Sequence, residues 1–235
     1  MYTYFTKEEK GKQVLLFLHG WGCDGSVFAP VIYNLSGVTA ICVDLWGFGK
    51  SQRLNKAWGV VDYCNELKNF CDANGLANFC IVAHSFGGRV ALAFASKYPS
   101  LVNKLVITGG AGLRRLSIKR AFKVACFKAL KLLKKWRLYK GKLPSGSADY
   151  RVLDDVMKQT FVKVVRQDLS HYARQIVCPT LLIWGKNDTE TPMWMAKKFN
   201  RLIKGSALVT LQGGHFAFLQ QPVAFAMIVD SFLED

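Results

Sequence analysis

Six short apolar runs punctuate the chain: Gln13–Leu18, Thr39–Val43, Phe79–Ala83, Lys104–Thr108, Thr180–Trp184 and Ala207–Leu211. Each is rich in β-formers and nearly continuous in apolar character, the pattern of a parallel strand covered on both faces. Between them lie helical patterns at Trp58–Ala73, Gly87–Tyr98, Met193–Leu202 and Pro222–Leu233. Strand and helix in alternation predict an α/β fold built on a doubly wound, mostly parallel sheet. Tyr2–Phe5 reads as an additional antiparallel strand at its edge.

From about Gly112 to Val177 the alternation stops and no convincing strand occurs. Ser117–Leu138 sets Ile118, Phe122, Ala125, Ala129, Leu132, Leu133 and Trp136 along one helical face, with lysines filling the others. A Gly/Pro/Ser turn at Gly141–Gly146 precedes a second helical stretch, Ala148–Val165, and Asp168–Ile176 forms a third. The expected division is therefore a core of residues 1–111 and 177–235, interrupted by a helical insertion at 112–176.

Length and composition fit this picture. The chain has 235 residues, of which 51% are hydrophobic, enough for one sizeable core and too apolar for a disordered chain. No run reaches the roughly 18 uninterrupted apolar residues of a membrane span. The first twelve residues lack the apolar stretch of a secretory signal. The seven cysteines are odd in number, scattered through apolar runs and without a C-x-x-C pair. They are expected to be buried free thiols in a reducing cytosol, and no metal is implied.

Charge adds one local feature. The net charge is +16, yet Leu113–Lys142 alone carries twelve Lys/Arg and no Asp/Glu. The plain reading is a solvated helix face. Because mixed charge would serve solubility as well, a surface for an acidic carrier protein or an anionic membrane is the alternative. No nucleic-acid recognition motif accompanies it.

The chemistry concentrates in Phe79-Cys-Ile-Val-Ala-His-Ser85-Phe-Gly-Gly88, where a strand runs directly into a helix. Such a turn presents the Ser85 side chain on a tight corner, with small residues required two positions to either side, here Ala83 and Gly87. Capping of the helix is the alternative role for this serine. A hydroxyl nucleophile needs a base, and the base an orienting acid. Of the four histidines, His19 and His84 flank strand ends and His171 lies in the helical insertion, facing solvent by default. His215 follows Gly213-Gly214 after the last strand, a loop able to reach over a crevice at the sheet's carboxyl edge. Asp188, in Gly185-Lys-Asn-Asp188, ends the preceding strand, whereas the competing Asp44 is adequately explained by the tight turn Asp44–Ser51. Backbone N–H groups of Phe86 and of Trp21, in His19-Gly-Trp-Gly22, are placed to form an oxyanion hole, worth roughly 3 kcal/mol per donor. Phe28 and Phe216 are candidate walls of an apolar acyl pocket.

The His-Gly motif, the Asp44–Ser51 turn, the elbow at Ser85, the Gly-x-x-Asp loop and the final Gly-His together resemble the α/β-hydrolase superfamily over residues 13–111 and 177–235. One departure is Ala83, where the family signature has glycine. The resemblance implies a catalytic order Ser85, Asp188, His215, no cofactor, and a cap domain in the insertion. The stretch Lys142–Tyr150 and the final third are similar to small bacterial carboxylesterases of the pimeloyl-carrier methyl esterase type. Haloalkane dehalogenases and epoxide hydrolases of the superfamily carry Asp at the elbow, so Ser85 argues against both. Ester or thioester hydrolysis is the expected activity, with carbon–carbon bond, lactone or haloperoxidase chemistry on the same residues as alternatives. A catalytically silent binding protein on this fold is the non-enzymatic alternative.

Overall fold

The computed structural model describes residues 4–7, 13–114 and 153–234. Its sheet has seven strands among these residues: β1 (Tyr4–Lys7), β2 (Gln13–Leu18), β3 (Val38–Val43), β4 (Phe79–His84), β5 (Val102–Thr108), β6 (Thr180–Gly185) and β7 (Ala207–Leu211). They lie in the order β1-β3-β2-β4-β5-β6-β7. Only β1 is antiparallel, placing Tyr4 opposite Val43 and Lys7 opposite Ala40. The expected edge strand thus exists, shifted two residues along the chain from Tyr2–Phe5. Eight described helices connect and cover the strands: α1 (Ala29–Ile32), α2 (Val60–Ala73), α3 (Phe86–Lys97), α4 (Asp155–Arg166), α5 (Ser170–Gln175), α6 (Met193–Leu202), α7 (Ala217–Gln220) and α8 (Pro222–Glu234). A single 3-10 turn, Gly25–Phe28, precedes α1.

The continuous apolar runs conceal a period of two that the packing exposes. In β2, Leu16 and Leu18 join one hydrophobic cluster, while Leu15 and Phe17 join another. The same alternation sorts Ile81 from Val82 in β4 and Trp184 from Ile183 in β6. Each cluster is one face of the sheet: α2, α3 and α6 cover the first, and α1, α7 and α8 the second. Both faces are dry, so both must be apolar. The exception is β7, expected as a buried strand. It pairs only with β6, and Leu211 is its one buried residue.

The described part of the insertion packs on the first face. Helix α4 starts later than the sequence suggests because Asp154 caps it, its carboxylate accepting the Met157 N–H at 2.8 Å. Met157, Val164, Leu169, Ala173 and Ile176 are buried in the same cluster as the sheet residues. Polar ties reinforce the seam. The Trp58 N–H donates to Thr160 Oγ1 at 3.1 Å and the Val60 N–H to Gln167 Oε1 at 2.9 Å. From the core side, Arg89 Nη1 in α3 donates to the carbonyls of Val164 (2.8 Å) and Gln167 (3.2 Å). The expected helix Ser117–Leu138, and with it nearly all of the basic stretch and its role toward a carrier protein or membrane, lies outside the described residues. Among the described residues no helix is long and apolar enough to cross a membrane.

Thr160 is fully buried, and its hydroxyl both accepts from Trp58 and donates to the Val156 carbonyl at 2.9 Å. Thr160→Val keeps the volume but strands the Trp58 N–H, which costs about 1–3 kcal/mol. Urea denaturation should show a midpoint lowered accordingly, with an unchanged m-value.

Candidate functional site

The corner between β4 and α3 is backbone-strained at one residue. Ser85 has φ 48° and ψ −104°, outside the regions an L-residue prefers, a cost on the order of 1–3 kcal/mol. Hydrogen bonds on both sides hold it there. The Ser85 N–H donates to the Thr108 carbonyl at 3.1 Å, and the Ser85 carbonyl accepts from the Ala111 N–H at 3.3 Å. Two residues on, Gly87 donates to the His19 carbonyl at 3.0 Å. A Cβ on Gly87 would stand 2.1 Å from the Leu18 carbonyl oxygen, so only glycine fits. Ala83, by contrast, has room for its methyl within the first hydrophobic cluster. The unusual alanine is thus accommodated without disturbing the corner.

His215 and Asp188 meet across the ends of β7 and β6. His215 Nδ1 lies 2.8 Å from Asp188 Oδ2. Close strand packing makes this possible: a Cβ on Gly185 would fall 2.1 Å from the Gly214 carbonyl oxygen. Asp188 accepts three further hydrogen bonds, from the N–H groups of Glu190 (2.9 Å) and Thr191 (2.8 Å) and from the Thr191 hydroxyl (2.7 Å). Burial alone would raise its pKa, but the donors from His215 and Thr191 outweigh it and hold the carboxyl below the ordinary aspartate value. Asp188 is therefore ionised at neutral pH, and the imidazole tautomer that donates to it is the one protonated on Nδ1. Asp44 is occupied elsewhere. Its two carboxylate oxygens accept the N–H groups of Gly25 (2.8 Å) and Lys50 (2.9 Å), which closes the Asp44–Ser51 turn.

The other histidines serve the scaffold. His19 is fully buried; its Nδ1 donates to the Gly20 carbonyl at 2.7 Å, and its Nε2 accepts from the Leu45 N–H at 2.9 Å. His84 packs its ring 4.6 Å from that of His215, between Phe216 and Phe218. Burial, then the neighbouring His215, pushes its pKa down to about 3, so it stays neutral. His171 is exposed on α5, as the insertion pattern suggests.

Ser85 and His215 open into one cavity of about 280 Å³, whose walls also include Gly20, Trp21, Phe86 and Phe216. Phe86 begins α3, where a backbone N–H has no intrahelical acceptor. Trp21 is fixed by edge-to-face contacts with Phe48, Phe86 and Phe161, its ring centroid 4.9–5.2 Å from theirs. Phe28, expected as a pocket wall, is not one. It is wholly buried on the opposite sheet face between Phe17 (5.1 Å) and Phe218 (5.2 Å), because the 3-10 turn carries it beneath the sheet.

Sequence reasoning missed three polar residues at the cavity: Thr191, Glu190 and Arg89. Thr191 had a legible signal. An Asp whose side chain accepts from the N–H groups two and three residues on forms an Asx-type turn, with Pro192 next opening α6. Glu190 Oε2 lies 3.5 Å from His215 Nε2, but its side chain is 66% exposed, a contact that tertiary structure alone creates. Arg89 stands four residues after Ser85, one helical turn along the same face.

The α/β hydrolase fold family matches residues 13–125, and the TAP-like protein family matches residues 161–235. A 2-hydroxy-6-oxononadienedioate/2-hydroxy-6-oxononatrienedioate hydrolase from Paraburkholderia phymatum is 28% identical over 221 residues, covering 81% of this chain and 76% of that one. The solved enol-lactonase from Burkholderia xenovorans superposes with a TM-score of 0.77 at 20% identity, over 100% of this chain and 96% of its own. An esterase from Exiguobacterium antarcticum gives 0.77 at 21% identity with the same coverages. With this sheet order, the strained turn at Ser85 and both family matches, the chain belongs to the α/β-hydrolase superfamily.

Proposed function

We propose that this hydrolase cleaves a carboxylic ester or thioester through an acyl-enzyme on Ser85. The observation that carries the reading is the 2.8 Å bond from His215 Nδ1 to an ionised Asp188, with the imidazole and the strained Ser85 turn facing one cavity. In the first half-reaction, His215 Nε2 takes the Ser85 hydroxyl proton as Oγ attacks the carbonyl carbon. The tetrahedral oxyanion is held by the N–H groups of Phe86 and Trp21. His215 then gives its proton to the leaving oxygen or sulfur, and the bond to the leaving group breaks. In the second half-reaction His215 takes a proton from water, hydroxide adds to the acyl carbon, and Ser85 leaves with the proton returned. Asp188 stabilises the imidazolium throughout and does not itself protonate.

Phe216, Phe161 and Met195 give the cavity an apolar lining suited to a short acyl group, since about 280 Å³ is small for a ligand pocket. The enol-lactonase and esterase neighbours support carbonyl hydrolysis as the shared chemistry. The dioate hydrolase relative supports a second reading, hydrolysis of an oxo-dienedioate on the same residues. A cytosolic site of action fits the six described cysteines, all free and five of them buried.

Two variants test the assignment. Ser85→Ala should lower turnover of short p-nitrophenyl esters by at least about 10³-fold and abolish fluorophosphonate labelling, with an unchanged thermal transition. Equal activity in that variant overturns the proposal. Asp188→Asn should lower kcat by about 10³–10⁴-fold by favouring the wrong imidazole tautomer. Its stability effect should also depend on pH. A carboxyl whose pKa is depressed by folding contributes stability that is present above its unfolded value of about 3.9 and lost as pH falls through the lower folded value. The difference in unfolding free energy between wild type and Asp188→Asn should therefore be largest near neutrality and shrink below about pH 4. Urea titrations from pH 3 to 7 would read this directly.

A further inference from the structure

Arg89 is an unusual wall for an apolar acyl cavity. It is 8% exposed, yet it lines the same cavity as Ser85 and His215. Of its donors, only Nη1 has acceptors among the described residues, the carbonyls of Val164 and Gln167. These are neutral groups, and a buried cation is costly unless an anion accompanies it. Among the described residues no carboxylate lies within 4.0 Å of it. The acid that acts on it, Asp168, does so from a distance, with its own oxygens taken by the N–H groups of Arg114 and Ser170 at 2.9 Å each. Burial lowers the guanidinium pKa only to about 10, so the charge persists at neutral pH.

Position adds direction. Ser85 caps α3 and Arg89 follows one turn later on the same face, roughly 6 Å along the helix axis. Helical side chains lean toward the helix N-terminus, which tilts Arg89 over the turn that carries Ser85. Glu190, at the His215 side of the cavity, gives that end the opposite charge. The cavity is therefore polarised, with its cation buried and its anion exposed.

We infer that Arg89 is a specificity-determining residue that receives a carboxylate at the far end of the acyl group, so that the preferred substrates are half-esters of short dicarboxylic acids. This rests on the ester-hydrolase reading above and narrows its substrate class. With the ester carbonyl at Ser85, a short acyl chain points its distal carboxylate toward the guanidinium one helical turn away, where Nε and Nη2 can donate to it as a pair. A neutral acyl group of equal length leaves those donors unmatched.

Monomethyl glutarate and methyl pentanoate present the same ester on chains of similar length and differ in the terminal charge. Methanol release from each should give a kcat/KM at least tenfold higher for the half-ester with the wild type. Arg89→Gln should bring the ratio near one, chiefly by raising KM for the half-ester, and Arg89→Lys should retain part of the preference. A purely structural clamp on Val164 and Gln167 would depress both substrates together and leave the ratio alone. Should Arg89→Gln fail to fold, competitive inhibition of the wild type decides: glutarate should inhibit at least tenfold better than pentanoate, and equal inhibition overturns the inference. Calorimetry on Ser85→Ala with monomethyl glutarate separates the two levels of argument. Binding that is lost in the Ser85→Ala, Arg89→Gln double variant supports the anion site even where wild type turns over neither ester, which would sink the hydrolase reading alone. Absence of binding at millimolar concentration, or a half-ester preference unchanged in Arg89→Gln, overturns the inference itself.

Discussion

The site depends on how closely α3 can approach the end of β2. The Leu18 and His19 carbonyls press against residue 87 so tightly that a Cβ there would overlap the Leu18 oxygen at 2.1 Å. Glycine at this position lets the helix start immediately after β4, and an immediate start forces Ser85 into its strained conformation. Everything chemical follows from that approach. Phe86 opens the helix, Gly20 and Trp21 line the same cavity, and Ser85 stands at the carboxyl edge of the sheet. The strain is sustained because Thr108 and Ala111, both on the far side from β2, anchor the Ser85 backbone. The corner is thus held between neighbouring strands rather than by its own preferences.

Charge is handled differently at each polar residue of this edge. His19 and His84 are buried, and desolvation keeps them neutral; their hydrogen bonds go to backbone groups, joining the loops after β2 and β3 and the ends of β4 and β5. Asp188 is buried too, but four donors converge on it, so it stays charged. A carboxylate so well satisfied resists protonation and keeps its charge beside the imidazole. These environments separate the two scaffold histidines from His215, whose Nδ1 is held against a charged carboxylate.

Much of this was legible in the sequence, for identifiable reasons. Strand runs were found because two-sided burial makes them almost wholly apolar, and β7 was misjudged because an edge strand can look the same while facing water. Ser85, Asp188 and His215 were placed by strand ends and glycine-flanked loops, which are local features. The structure joins two of them in a hydrogen bond and sets the third in the same cavity. Phe28 illustrates the limit. An aromatic after a glycine-rich loop can face the crevice or the core, and a 3-10 turn, invisible to periodicity, turned it into the core. Thr191 was encoded in a turn motif, whereas Glu190 and Arg89 gain meaning only from what the fold brings beside them.

Arg89 also shows why the described part of the insertion cannot be treated apart from the chemistry. Its Nη1 fastens the carbonyls that end α4, and the same residue lines the cavity shared by Ser85 and His215. One buried side chain then connects the seating of α4 and α5 on the core with the electrostatics seen by a substrate. An anion bound at this guanidinium would offset the desolvation of the cation that clasps the insertion, so ligand binding and the closeness of that packing are thermodynamically linked. Such linkage needs no large motion. It requires only that the cation be less well compensated when the cavity is empty than when an anion fills it, and with neutral carbonyls as its described partners, that condition is met.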